Sequence, residues 1–145
     1  MSVKNFFTES QKKAIQQAIA DAELNTSGEI RVHLDSKCAG DPKTEAVKIF
    51  EKLKMHETAL HNAVLFYMAV DDHKFAILGD KGIDAAVPAN FWDSERDLML
   101  AHFKKNEFAE GLIAAILLAG EKLKAHFPYA QDDTNELSNE ISFEE

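Results

Sequence analysis

A three-layer α/β/α sandwich on a small mixed sheet is predicted by three features of this 145-residue chain. Glu29 to Leu34 alternates polar and apolar residues, as a strand covered on one face does. Ala63 to Val70 (AVLFYMAV) is apolar throughout, as a strand covered on both faces is. Around these two runs lie segments whose apolar residues recur every three or four positions, the mark of helices that pack through one side. The resulting order is α-β-α-β-β-α-α. Its strand-helix-strand opening implies two parallel strands, the hairpin after it adds an antiparallel one, and helices cover both faces.

Each element has its own justification. Thr8-Glu9-Ser10-Gln11 is a capping box, in which the Thr8 hydroxyl and the Gln11 side chain satisfy the first free amides of a helix. Ala14, Ile15, Ala18, Ile19 and Ala22 then mark the buried side of that helix, which ends near Leu24. Asn25 to Gly28 breaks it, and the strand Glu29 to Leu34 turns Ile30, Val32 and Leu34 to one face. A loop from Asp35 to Pro42 leads to a helix over Lys43 to Met55, with Val47, Phe50 and Leu53 or Lys54 on its buried side. After the apolar strand, Asp71 to Lys74 is a tight turn and Phe75 to Leu78 the hairpin partner. Gly79 to Gly82 reads as a second turn. A helix over Phe91 to Lys105 carries Leu98, Met99 and Phe103 inward. The last helix, Glu107 to Ala125, carries Leu112, Ile116, Ala119 and Leu123. The pairs Phe6-Phe7 and Phe91-Trp92 sit at helix starts, where aromatic anchors are expected.

The globular body is read as residues 1–128 and the remainder, 129–145, as an acidic tail expected to be poorly ordered. That tail holds six acids and no base; without it, acids outnumber bases by only three. Leu137, Ile141 and Phe143 punctuate the acids, a pattern found in peptides that order on a partner, so a protein-binding role is the alternative for this segment. A net charge of −9 argues against nucleic acid or an anionic membrane as partner. The apolar run Gly111 to Gly120 is too short to cross a bilayer, and no membrane insertion is expected. The N-terminal segment shows no signal-peptide pattern, and a cytoplasmic location is expected. A single cysteine, Cys38, excludes an internal disulfide.

Three blocks in order, SGEIRVHL, NAVLFYMAVDDHKFAILGDKGID and HFKKNEFAEGLIAAI, resemble the TPM domain family, named after a thylakoid lumen protein, a photosystem II repair factor and a nematode receptor-modulator. The similarity covers about residues 6–127 and points to a short, soluble bacterial branch. It implies a Rossmann-like α/β/α fold. It also implies one of several activities: weak acid phosphatase, assembly or repair factor of membrane complexes, or calcium binder through acidic loop residues.

Metal-ligating candidates fall at two sheet edges. Beyond the carboxyl ends of the parallel strands lie Asp35, Asp71 and Asp72, oxygen ligands suited to Ca²⁺ or Mg²⁺. Turn chemistry accounts for the Asp-Asp pair equally well. The opposite edge carries His61 and Asp84. There the family's D-N-G-V and G-L-E read His61-Asn62-Ala63-Val64 and Gly82-Ile83-Asp84, so one acid is replaced by histidine. The family's G-D-Y-Y-E-G-L becomes Asn106 to Leu112, in which Glu107 keeps a carboxylate; a His61-Asp84-Glu107 set suits a transition metal better than a hard cation. No phosphatase nucleophile loop or phosphate-binding glycine loop is present, and the other five histidines read as surface or boundary residues. The preferred reading is a non-catalytic interaction or regulatory module with a protein partner, membrane-associated on the strength of the resemblance. The alternative is a weak metal-dependent acid phosphatase.

Overall fold

A computed structural model describes residues 3–129 and 137–144. Helix α1 (Glu9–Glu23) starts where the capping box predicts: Gln11 N donates to Thr8 Oγ1 at 3.1 Å and Thr8 N to Gln11 Oε1 at 2.9 Å. Strand β1 (Glu29–Asp35) runs parallel to β2 (Ala63–Ala69), in register from Glu29 opposite Ala63 to Asp35 opposite Ala69. The crossover helix α2 (Pro42–Lys52) has Asp41 as its cap, accepting from Thr44 N, and Pro42 in the first turn where its missing N–H costs nothing. A turn with His73 in the left-handed region (φ 53°) leads into β3 (Lys74–Gly79), antiparallel to β2. Helices α3 (Lys81–Ala86), α4 (Asp93–Phe103) and α5 (Phe108–Leu123) follow, and β4 (Ser142–Phe143) ends the described chain.

The sheet order is β3-β2-β1-β4, and its two faces carry separate cores. Ile30, Val32, Leu34, Val64 and Phe66 point to one side, against Ile15 and Ile19 of α1 and Leu112 and Ile116 of α5. Ala63, Leu65 and Tyr67 point to the other, against Ala46, Ile49 and Phe50 of α2. The predicted three layers are therefore present. Helices α1 and α5 touch at Gly120, where a Cβ would lie 2.7 Å from the Cβ of Ala22.

Four sequence expectations change. Gly79 to Gly82 is not a free turn, because Asp80 accepts from Lys81 N and starts α3, six residues being too few for periodicity to announce. Val47 is 41% exposed and Ala14 is exposed, while Ala46 and Ile49 take the inward positions on α2. His33 is not at the surface but 3% exposed, beneath other elements on the supposedly solvated face of β1. Finally, the apolar residues of the terminal segment serve this chain's own fold. Ile141 is buried in the first core, Phe143 packs against that core and Leu137 against the second. The expected stretch 130–136 lies outside the described residues.

Strand β4 pairs with β1 in parallel, Ser142 opposite His33 and Phe143 opposite Leu34. Ser36 donates from both its N–H and its hydroxyl to the Glu144 carboxylate, which fastens the end of the segment. Below β4 the amide of Ile30 is satisfied by Glu23 Oε2 at 2.9 Å. Removing the chain beyond Tyr129 should cost about 3 kcal/mol, the worth of burying Ile141 and part of Phe143. Urea unfolding of the shortened chain measures this; an unchanged midpoint would show the segment to be dispensable.

Candidate functional site

At the carboxyl end of the parallel strands, Asp35 is turned into the protein and is 7% exposed. Its Oδ1 lies 2.7 Å from His33 Nε2 and its Oδ2 accepts from Tyr67 OH at 2.8 Å. On the other side of the imidazole, Nδ1 is 2.7 Å from Ser142 Oγ. A neutral His33 satisfies both neighbours by donating from Nε2 to Asp35 and accepting the Ser142 hydroxyl proton at Nδ1. Burial holds the imidazole below its ordinary value and outweighs the opposing pull of Asp35. Burial and then the Asp35 hydrogen bond push the Tyr67 phenol far above its own.

Serine, histidine and aspartate thus stand in hydrogen-bond order, the residue types of a hydrolytic triad. Here they also join strand to strand. The histidine is sealed inside and the serine belongs to a paired strand, so the chain of bonds ties β4 to β1 and β2. Its pH dependence follows. The folded state disfavours imidazolium, so the unfolded chain binds more protons below the ordinary histidine value of about 6.5. Stability should therefore be full above that pH and decline below it. Glu144, held low by the Ser36 amide and hydroxyl, extends the decline as its own protonation sets in. The groups around His33 are Asp35, Ser142, Arg31, Lys52 and Glu144. A melting curve against pH checks this, and His33→Gln should flatten the segment between about pH 6.5 and 5.

The remaining predicted ligands are scattered. Asp72 Oδ2 accepts from Cys38 N at 2.8 Å and shapes the loop after β1, while Asp71 is exposed. At the opposite edge His61, in the left-handed region at φ 50°, faces Asp80 Oδ2 at 3.5 Å and the His56 carbonyl at 3.0 Å. Asp84 is exposed on α3 nearby. Glu107 does not join them: it bonds His102 Nδ1 at 2.9 Å and precedes Phe108, whose ring packs against His73 beside the Asp71-Asp72 turn. Among the described residues no group of three or more His, Cys, Asp or Glu side chains is placed to hold a metal ion. The described acids therefore do not form a shared cation set.

What sequence reasoning missed is a groove on the outer flank of β3. Two adjoining cavities of about 220 and 480 Å³ share His73, Lys74, Phe75 and Leu100. The smaller is apolar, closed by Met68, Phe103 and Phe108. The larger runs along β3 between Trp92, just before α4, and Arg96 on it, and Pro42 and Lys43 of α2. Lys43, Lys74, Arg96 and Lys104 line these cavities and no acid does. The signals were there, in the half-exposed β3 and the bases at 43, 74, 96 and 104, but only the tertiary arrangement brings them together.

The TPM domain profile matches residues 2–122. No protein of curated function matches the sequence. The BA42 protein of the psychrophilic bacterium Bizionia argentinensis, solved by NMR, is similar to the chain at 45% identity. The match covers 99% of each chain with a TM-score of 0.92. The N-terminal domain of the cg2496 protein from Corynebacterium glutamicum shares the fold at 15% identity and a TM-score of 0.65, over 97% of this chain and 82% of that one. The N-terminal domain of a P. gingivalis protein shares it at 18% identity and a TM-score of 0.69, over 83% and 78%. None of the helices among the described residues is long and apolar enough to cross a membrane. With the fold, the three sequence blocks and a profile spanning most of the chain in agreement, this protein belongs to the TPM domain family.

Proposed function

We propose that this chain is a non-catalytic interaction module that acts in the cytoplasm, and that it binds a protein partner along the outer flank of β3. The observation that carries this reading is the groove itself: a strand edge with no neighbouring strand among the described residues, bordered by aromatic side chains and by bases. Apolar concavities of this kind are where proteins bind other molecules. The residues that a metal-dependent phosphatase would need support it by default, since Asp35 and Asp72 hold structure and His61 and Glu107 stand at different ends of the sheet. A partner belonging to a membrane complex fits the family's assembly and repair members.

A photo-crosslinking side chain at Leu100, 42% exposed in the groove, should give a discrete adduct in cells, and the same group at Val47, 41% exposed on α2, should not. Equal adducts at both positions, or none at either, would remove the groove from consideration. Metal-dependent hydrolysis of a phosphomonoester that is lost in Asp84→Ala would establish the phosphatase reading in its place.

A further inference from the structure

We infer that the partner presents an extended acidic segment, which adds as a further strand to the free edge of β3. This rests on the groove being the binding site, and it names what enters. Four observations lead to it.

The first is the edge. Among the described residues β3 pairs with β2 alone, so its outward N–H and C=O groups are available for a ladder. Its length, Lys74–Gly79, offers about 20 Å of pairing, room for five or six residues of an incoming chain. The second is the pair of walls. Successive side chains of a strand point to opposite faces, so those of an added strand turn alternately toward α4 and toward the start of α2. The α4 side holds the apolar pocket between Leu100, Phe103 and Phe108, which suits an aliphatic or aromatic side chain.

The third is charge. In a chain of net charge −9 this flank is lined by four bases and no acid. Lys43 and Lys104 form no ion pair among the described residues, and Arg96 meets Asp93 only at the surface, at 3.4 Å. The Lys74 ammonium is fixed by the carbonyls of Cys38 at 2.8 Å and Gly40 at 3.0 Å, which makes it a stationary positive charge beside the strand. Glutamate and aspartate are the complement.

The fourth observation eliminates the other occupants. Two copies joined edge to edge would set these bases against one another, and lysine on an edge strand is how proteins discourage such self-pairing. The described end of this chain, 137–144, lies elsewhere, with Ile141 and Phe143 docked beside β1 at the far edge of the sheet.

The test uses capped peptides of about eight residues that alternate glutamate with valine or phenylalanine, titrated into the intact, isotope-labelled protein and followed by amide NMR shifts. The amides of Lys74 to Leu78 should shift saturably, and affinity should fall several-fold as ionic strength rises from about 0.01 to 0.15 M. Methylating alternate peptide amides on the pairing side should abolish binding. Lys43→Glu, on the side the glutamates face, should weaken it about tenfold, and Lys104→Glu, beside the apolar pocket, by less; both positions are exposed. Binding that survives methylation would overturn strand addition, and a lysine-for-glutamate peptide that binds as well would overturn the acidic preference. If the peptide fails while the Leu100 crosslink succeeds, the acidic strand is refuted and the groove stands. If both fail, both are refuted.

Discussion

Gly120→Val should destabilise this protein by about 3 kcal/mol, at the upper end of what overpacking costs. The Cβ of residue 120 would fall 2.7 Å from the Cβ of Ala22, 2.8 Å from its Cα and 3.0 Å from its carbonyl oxygen. None of these atoms can rotate aside, so α1 and α5 must separate, loosening Ile15, Ile19, Leu112 and Ile116 behind them. Helix propensity pulls the other way: glycine is the poorer helix former, by roughly 0.5 kcal/mol against valine and about 1 kcal/mol against alanine. Gly120→Ala therefore discriminates well. A destabilised alanine variant in urea shows that contact outweighs propensity, whereas a more stable one would mean that the helices do not touch at this point.

Lys122→Met should cost about 3–5 kcal/mol, because it strands a buried charge. Glu95 is fully buried, and its Oε1 receives Lys122 Nζ at 2.7 Å and the Ser94 hydroxyl at 2.8 Å. The ammonium also donates to the Phe91 carbonyl and lies 4.3 Å from the centre of the Phe91 ring. Glu95 Oε2 has no hydrogen-bond partner among the described residues, so loss of the lysine leaves the carboxylate with the Ser94 hydroxyl and no charge opposite it. Adding Glu95→Leu to the same protein should recover most of the loss, since replacing both charges leaves no unpaired ion. A single variant that costs less than about 1 kcal/mol would place the pair in effective contact with water.

Much of this architecture was legible because it rests on local patterns. Ile30, Val32 and Leu34 alternate and are all fully buried on one face of β1; the apolar run of β2 is buried at every position. Local pattern also explains the misreadings. The other face of β1 reads as solvated from Glu29, Arg31, His33 and Asp35, yet three of these are buried, because covering a face is a property of distant segments. That Tyr67 would reach Asp35 depends on the parallel register, which sets His33 opposite Tyr67. The Glu95–Lys122 pair joins two helices whose rotation about their axes no single-helix pattern supplies. The terminal apolar residues Leu137, Ile141 and Phe143, read from the sequence as a partner-docking segment, pack against this chain's own two cores. The groove depends on three elements meeting, α2, β3 and α4, and no one of them carries its signature.

The placement of β4 has a consequence for stoichiometry. A sheet with two open margins can be extended at both and so can link molecule to molecule without end. Here the two margins are unequal: β3 presents six residues, whereas beyond β1 stand only the two-residue β4 and the Glu23 carboxylate on the Ile30 amide. A strand received at β3 therefore gains a full ladder, and a second strand at the β4 margin would find two residues to pair with. Strand addition at β3 is therefore expected to give one-to-one complexes, a stoichiometry that the mass of the complex checks, and such a module ends a chain of contacts where an evenly open sheet would propagate it.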